Sequence, residues 1–128
     1  MAIPGTPPAL IAMLLAAVAL AAACATADAA MRPRKASYGA IAYEPALRAT
    51  GYSFDLKSAR EARTEALKQC GEPTCVVILN FRNACGALVR ARGKPFTATG
   101  ATREEAQTKA LSKCADRKCE MIAWACTR

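Results

Sequence analysis

A nine-residue segment that recurs together with its cysteines limits what this chain can fold into more than anything else in it. Residues 62–70 read Ala-Arg-Thr-Glu-Ala-Leu-Lys-Gln-Cys, and residues 106–114 read Ala-Gln-Thr-Lys-Ala-Leu-Ser-Lys-Cys. In both copies four residues lead to a second Cys and then to an apolar run. Ala62, Ala66, Leu67, Cys70 and Cys75 therefore map onto Ala106, Ala110, Leu111, Cys114 and Cys119 at one offset of 44. A repeat of this size is a duplicated supersecondary unit, each copy needing its neighbour to close a core.

The rest of each copy follows from local pattern. Tyr38 to Tyr43 and Ala49 to Phe54 alternate as short strands around a turn at Pro45. Ser58 with Glu61, and Thr102 with Glu105, are capping boxes that open two helices. Gly71 stops the first helix and Pro73 prevents its continuation. Val76 to Phe81 is apolar and β-branched, as a central strand requires. Asn83-Ala-Cys-Gly turns the chain into Ala87–Arg92, Phe96–Gly100, the second helix and a final strand over Cys119–Cys126. The expected fold is α+β: two ββαβ repeats (37–85 and 86–128) in one antiparallel sheet, both small-residue helices on one face.

Ahead of the repeats, Ala9 to Ala23 is an unbroken apolar run, followed by Ala27-Asp28-Ala29 as an A-x-A cleavage site. This predicts a secretory signal over residues 1–29 and then a basic tail over 30–36, which includes Arg-Pro-Arg-Lys at 32–35. The absence of Lys and Arg from Met1 to Pro8 runs against that reading. Cys24 raises the alternative of a lipid anchor, although Ala21 stands where a lipobox puts a larger aliphatic residue. Membrane attachment is expected only if Cys24 is lipidated.

With Cys24 cleaved off or acylated, six cysteines remain: Cys70, Cys75, Cys85, Cys114, Cys119 and Cys126. An even number in a small exported domain reads as a disulfide framework. Each helix end and the strand after it must double back, so Cys70–Cys75 and Cys114–Cys119 are predicted as equivalent local bridges. Cys85 and Cys126 are left to link the two halves. The spacing matches no common zinc site, and there is no His anywhere in the chain. No metal or other cofactor is expected.

The lack of His also removes the usual general base and the Ser-His and Cys-His nucleophiles. Among the carboxylates, only Glu44 and Asp55 lack an evident structural duty, so they are the candidates for a cell-wall hydrolase of the two-carboxylate type. Residues 31–128 carry all 18 Lys and Arg with nine acids, a net charge of +9. That charge suits an anionic envelope component or an acidic protein. Scattered basic residues without interleaved aromatics argue against nucleic acid. Trp124, the only Trp, reads as a sheet or core residue, with an exposed binding anchor as the alternative. Asn83 reads as a turn residue; with Arg82 it forms the other candidate partner contact.

Taken together, Tyr38-Gly-Ala-Ile-Ala-Tyr43, Ala-Leu-x-x-Cys-Gly…Cys, Phe81-Arg-Asn-Ala-Cys-Gly-Ala-Leu88 and Ala-Leu-x-x-Cys…Cys…Trp-Ala-Cys126 resemble a bacterial family known as domain of unknown function 4189. The resemblance spans Ser37 to Cys126, with Tyr38 where many members have Trp. It implies export and six paired cysteines, and it brings no activity, cofactor or catalytic residue. The sequence therefore points to a periplasmic or secreted, non-enzymatic binding protein, of which an inhibitor or immunity-type protein is one form. A secreted factor acting on another cell and the carboxylate hydrolase are the alternatives.

Overall fold

The computed structural model describes residues 35–116 and 118–128. The expected signal segment, Cys24 and the tail as far as residue 34 lie outside the described residues. The elements are β1 (Tyr38–Glu44), β2 (Ala49–Leu56), α1 (Ala59–Cys70), β3 (Val76–Arg82), β4 (Cys85–Ala91), β5 (Lys94–Gly100), α2 (Arg103–Cys114) and β6 (Glu120–Cys126). This is ββαβ twice, as the repeat predicts.

Local chemistry sets the boundaries. Ser58 Oγ accepts from the Glu61 N–H (3.1 Å), and the Glu61 carboxylate accepts from the N–H of Lys57 (3.3 Å). In the second copy Thr102 Oγ1 accepts from Glu105 N–H (3.2 Å), and Glu105 accepts from Ala101 N–H (3.0 Å). Both helices end on a left-handed residue whose N–H bonds back into the last turn: Gly71 at φ 79 and Ala115 at φ 45. Glycine tolerates that conformation at no steric cost, and alanine does not.

The strands do not join into one sheet. They form two antiparallel three-stranded sheets, ordered β2-β1-β3 and β5-β4-β6. The cause is burial on both faces of the two central strands. Ala40 and Ala42 of β1 pack under α1 with Ala62 and Ala66, while Ile41 and Tyr43 point the other way. Ala87 and Val89 of β4 likewise pack under α2, and Leu88 joins Ile41, Tyr43, Phe81, Ala123 and Ala125 in a third cluster. One continuous sheet with both helices on the same side would leave Ile41, Tyr43 and Leu88 in water. Stacking the sheets buries all three completely or nearly so (0–1% exposed) and puts a helix on each outside face. The Phe81 ring fills the space above Gly39 and Gly86, where a Cβ on either glycine would lie within 2.4–2.7 Å of it.

All three predicted disulfides are present: Cys70–Cys75, Cys114–Cys119 and Cys85–Cys126. The third plays a different part from the one expected. Cys85 opens β4 and Cys126 ends β6, and the two are direct partners across adjacent strands. This bridge therefore closes the second unit on itself instead of joining the halves, and the structural divide falls after Asn83.

The internal symmetry runs deeper than identical residues. Ile78 in β3 and Ile122 in β6, again 44 apart, are both skipped in the pairing and form equivalent bulges. Asn83 holds Ser37 by two bonds, Asn83 N–H to Ser37 O (2.9 Å) and Ser37 N–H to Asn83 Oδ1 (2.8 Å). Thr127 holds Ala84 in the same manner, N–H to Ala84 O (2.9 Å) and Ala84 N–H to Thr127 Oγ1 (3.0 Å). The cross-strand partners equivalent to Cys85 and Cys126 are Tyr38 and Arg82. There, the Arg82 guanidinium lies 5.9 Å from the Tyr38 ring centroid. A cation–π contact thus occupies in one copy the position of a covalent bridge in the other.

Candidate functional site

Stacking the sheets places β2 and β6, each an edge strand, side by side and leaves a cleft between them. Its volume is about 590 Å³, and its walls are Tyr52, Phe54, Asp55, Ile122, Ala123, Trp124, Ala125, Cys126 and Arg128.

On the β2 side, the serine decides which residues reach the cleft. Ser53 Oγ donates to Ala62 O (2.7 Å) and accepts from Ala40 N–H (3.1 Å), which fixes this side chain beneath α1. Strand alternation then turns Tyr52 and Phe54 to the opposite side. Their rings stack at 6.4 Å and 17°, yet they remain 42% and 51% exposed. On the β6 side Trp124 is 39% exposed, with the Arg103 guanidinium 3.9 Å from its ring centroid. Three exposed aromatic side chains gathered on two neighbouring edge strands mark a surface suited to a partner.

Asp55 sits in a bulge of β2 at φ 55, a conformation that Asp tolerates better than most residues. Its Oδ1 accepts from the Ser37 hydroxyl (3.3 Å) and from Arg128 N–H (2.9 Å). The carboxylate thereby ties Ser37 and Arg128 together beside the cleft. Glu44 lies at the other end of the β1–β2 hairpin, in a pair with Ala49, while Tyr38 pairs with Leu56 beside Asp55. Six strand steps at ~3.3 Å each separate the two, about 20 Å, against the ~5–9.5 Å that a carboxylate pair needs to cleave a glycosidic bond. Glu44 has a structural duty too. Its Oε1 accepts from Ala46 N–H (2.8 Å), which caps the turn, and the nearby Thr74 side chain, with the N–H groups of Ala46 and Leu47, holds the carboxyl below the ordinary range.

Of the candidate contacts read from sequence, only Trp124 reaches the cleft. Arg82 lies against Tyr38, and Asn83, at φ 46, is committed to its clamp on Ser37. All six cysteines Cys70, Cys75, Cys85, Cys114, Cys119 and Cys126 are oxidised in pairs, which leaves no thiolate among them to bind a metal. Tyr52, Phe54, Arg103 and Arg128 escape sequence reading. The signal that could find the first two is the run Tyr-Ser-Phe-Asp, in which a small polar residue alternates with large apolar ones.

One buried group lies away from the cleft. The Tyr43 hydroxyl, enclosed between the sheets, has no partner in good hydrogen-bond geometry. The Arg90 guanidinium approaches it and pairs with Glu120 at 3.1 Å, and both contacts push the arginine further above its ordinary range. The tyrosine contact is electrostatic and not a formed hydrogen bond.

Comparison with known proteins agrees with this framework. Uncharacterized protein Rv1813c of Mycobacterium tuberculosis (strain H37Rv) and uncharacterized protein Mb1843c of Mycobacterium bovis are each 35% identical over 89 residues, 70% of this chain. The matched region spans 59% of the length of those relatives. The NMR structure of Rv1813c superposes with a TM-score of 0.58 at 32% identity, covering 75% of this chain and 78% of that one. Residues 38–126 match the family described as Domain of unknown function (DUF4189), and the chain belongs to that family.

Proposed function

We propose that this protein is an exported, disulfide-stapled binding module that holds a partner in the aromatic cleft and performs no chemistry on it. One observation carries the reading: Tyr52, Phe54 and Trp124 stand exposed around one groove whose two walls are edge strands of packed sheets. Rigid aromatic anchors in a concave site are what partner recognition uses. Export is supported by three cysteine pairs, because such bridges persist in oxidising compartments and are rare in the cytosol. An inhibitor or immunity-type role in the periplasm suits a small basic domain of this build. The wide separation of Glu44 and Asp55 weighs against the hydrolase alternative.

The test uses protein recovered from periplasm and from culture medium. A mass consistent with a removed leader and six oxidised cysteines supports export, and a cytoplasmic pool with free thiols refutes it. Capture of one stoichiometric partner that Tyr52→Ala or Trp124→Ala abolishes, and Lys94→Ala leaves intact, supports the cleft. Equal capture by all the variants places binding elsewhere and overturns it.

A further inference from the structure

We infer that the cleft docks an extended acidic peptide segment of a partner protein, which adds to β6 as an extra strand. This rests on the binding reading above and specifies the partner's chemistry at the same groove. Five consecutive residues of β6, Ile122 to Cys126, line the cleft. A strand presenting one face would contribute every second residue. The cleft therefore opens along the backbone edge of β6.

The hydrogen bonds at the end of the strand give the orientation of that edge. Thr127 donates its N–H inward to Ala84 O, and Arg128 donates its N–H outward to the Asp55 carboxylate, both at 2.9 Å. The alternation of an antiparallel ladder then turns the N–H and C=O of Trp124 and Cys126 outward, toward the groove. Among the described strands β6 pairs with β4 alone. Asp55 thus fills the first outward position, as a partner carbonyl would fill the next two. An edge of this kind is a template for strand addition.

Side chains select the class of strand. Tyr52 and Phe54, on the face of β2 turned toward the other sheet, offer apolar surface to alternate residues of the incoming segment, while Trp124, paired with Ala87 on the opposite face of β6, lies beside the residues between them. Arg103 and Arg128 flank the groove, and Asp55 is already committed to Ser37 and Arg128. With the surplus of positive charge over the whole chain, +8, acidic side chains at the intervening positions complement the site.

The experiment adds synthetic peptides of about ten residues, with Val, Leu or Phe alternating with Glu, to the full oxidised protein and follows amide exchange by NMR. Binding about tenfold tighter than a matched Lys-for-Glu set is expected, with Trp124→Ala weakening it by a similar factor. The amides of Trp124 and Cys126 become protected, and N-methylation of alternate peptide amides weakens binding about tenfold. Shifts of the aromatic rings without that protection, as a glycan ligand would produce, overturn the inference. So does protection in the peptide-free protein: if it rises with concentration a second copy is the occupant, and if it does not, the chain's own N-terminal residues are. Failure of every peptide while Trp124-dependent capture of a natural partner persists refutes strand addition and leaves the binding reading standing. Loss of both refutes both.

Discussion

The guanidinium carbon of Arg103 lies 3.9 Å from the centroid of the Trp124 ring. As the chain has one Trp, its fluorescence reports on this contact directly. Replacing Arg103 with Gln frees the indole and changes its emission. The exposed cation–π contact contributes ~0.5–1 kcal/mol. The denaturation midpoint in guanidinium should therefore fall by a corresponding amount, with no change in slope.

The helix ends supply a matched pair of substitutions. Ala115 holds a left-handed conformation that Gly71 holds in the other copy. Ala115→Gly should stabilise the oxidised domain by about 1 kcal/mol and Gly71→Ala should destabilise it by a similar amount. For a domain of this size each corresponds to roughly 4–8 °C in melting temperature. Calorimetry of both variants checks the sign as well as the size.

The three bridges are not equivalent in effect. Cys85 and Cys126 are 41 residues apart, whereas each of the other pairs is 5 apart. On chain entropy alone, replacing Cys85 and Cys126 together with Ser should cost about 4 kcal/mol, and removing either short bridge about 2. The symmetry adds a constructive version. Tyr38→Cys with Arg82→Cys, at the positions equivalent to Cys85 and Cys126, should oxidise to a fourth bridge. Mass spectrometry would show the loss of two further hydrogens, and thermal melting the added stability.

Acid should loosen the β1–β2 turn. The Glu44 carboxyl is held low by Thr74 and by the backbone N–H groups of Ala46 and Leu47. With its folded pKa below the unfolded one, its stabilisation is present in full above the ordinary value of 4.5. It disappears as pH falls through the lower folded value. Urea midpoints taken from pH 7 down to pH 3 should therefore drop less steeply for Glu44→Gln than for the parent chain.

The duplicated part of the fold is legible in the sequence because helix caps, cysteines and small apolar stripes repeat as identical or near-identical residues. Where the copies do the same work with different chemistry, the repeat disappears from view. Asn83 and Thr127 make the same clamp, and Tyr38 with Arg82 stands where Cys85 and Cys126 are bonded. How the strands divide between sheets depends on which face of β1 meets which face of β4, and that is a matter of tertiary packing. The cleft was hidden for a related reason. A hydrophobic-inside reading of β2 buries Tyr52 and Phe54 and exposes Ser53, whereas the bonds of Ser53 to Ala40 and Ala62 reverse that phase. Trp124 follows the same rule, since β6 turns its alanines inward and its one large ring out.

Both ends of the domain converge on a single oxygen, Asp55 Oδ1, which receives Ser37 and Arg128. A polypeptide spliced onto either end must leave the body beside the groove, so purification handles attached after Arg128 would crowd it. The same proximity makes the fold easy to rewire. A few residues joining position 128 to position 37, with a new opening at the exposed Arg92–Gly93 hairpin turn, would yield a permuted chain with its handles at a distance from the groove.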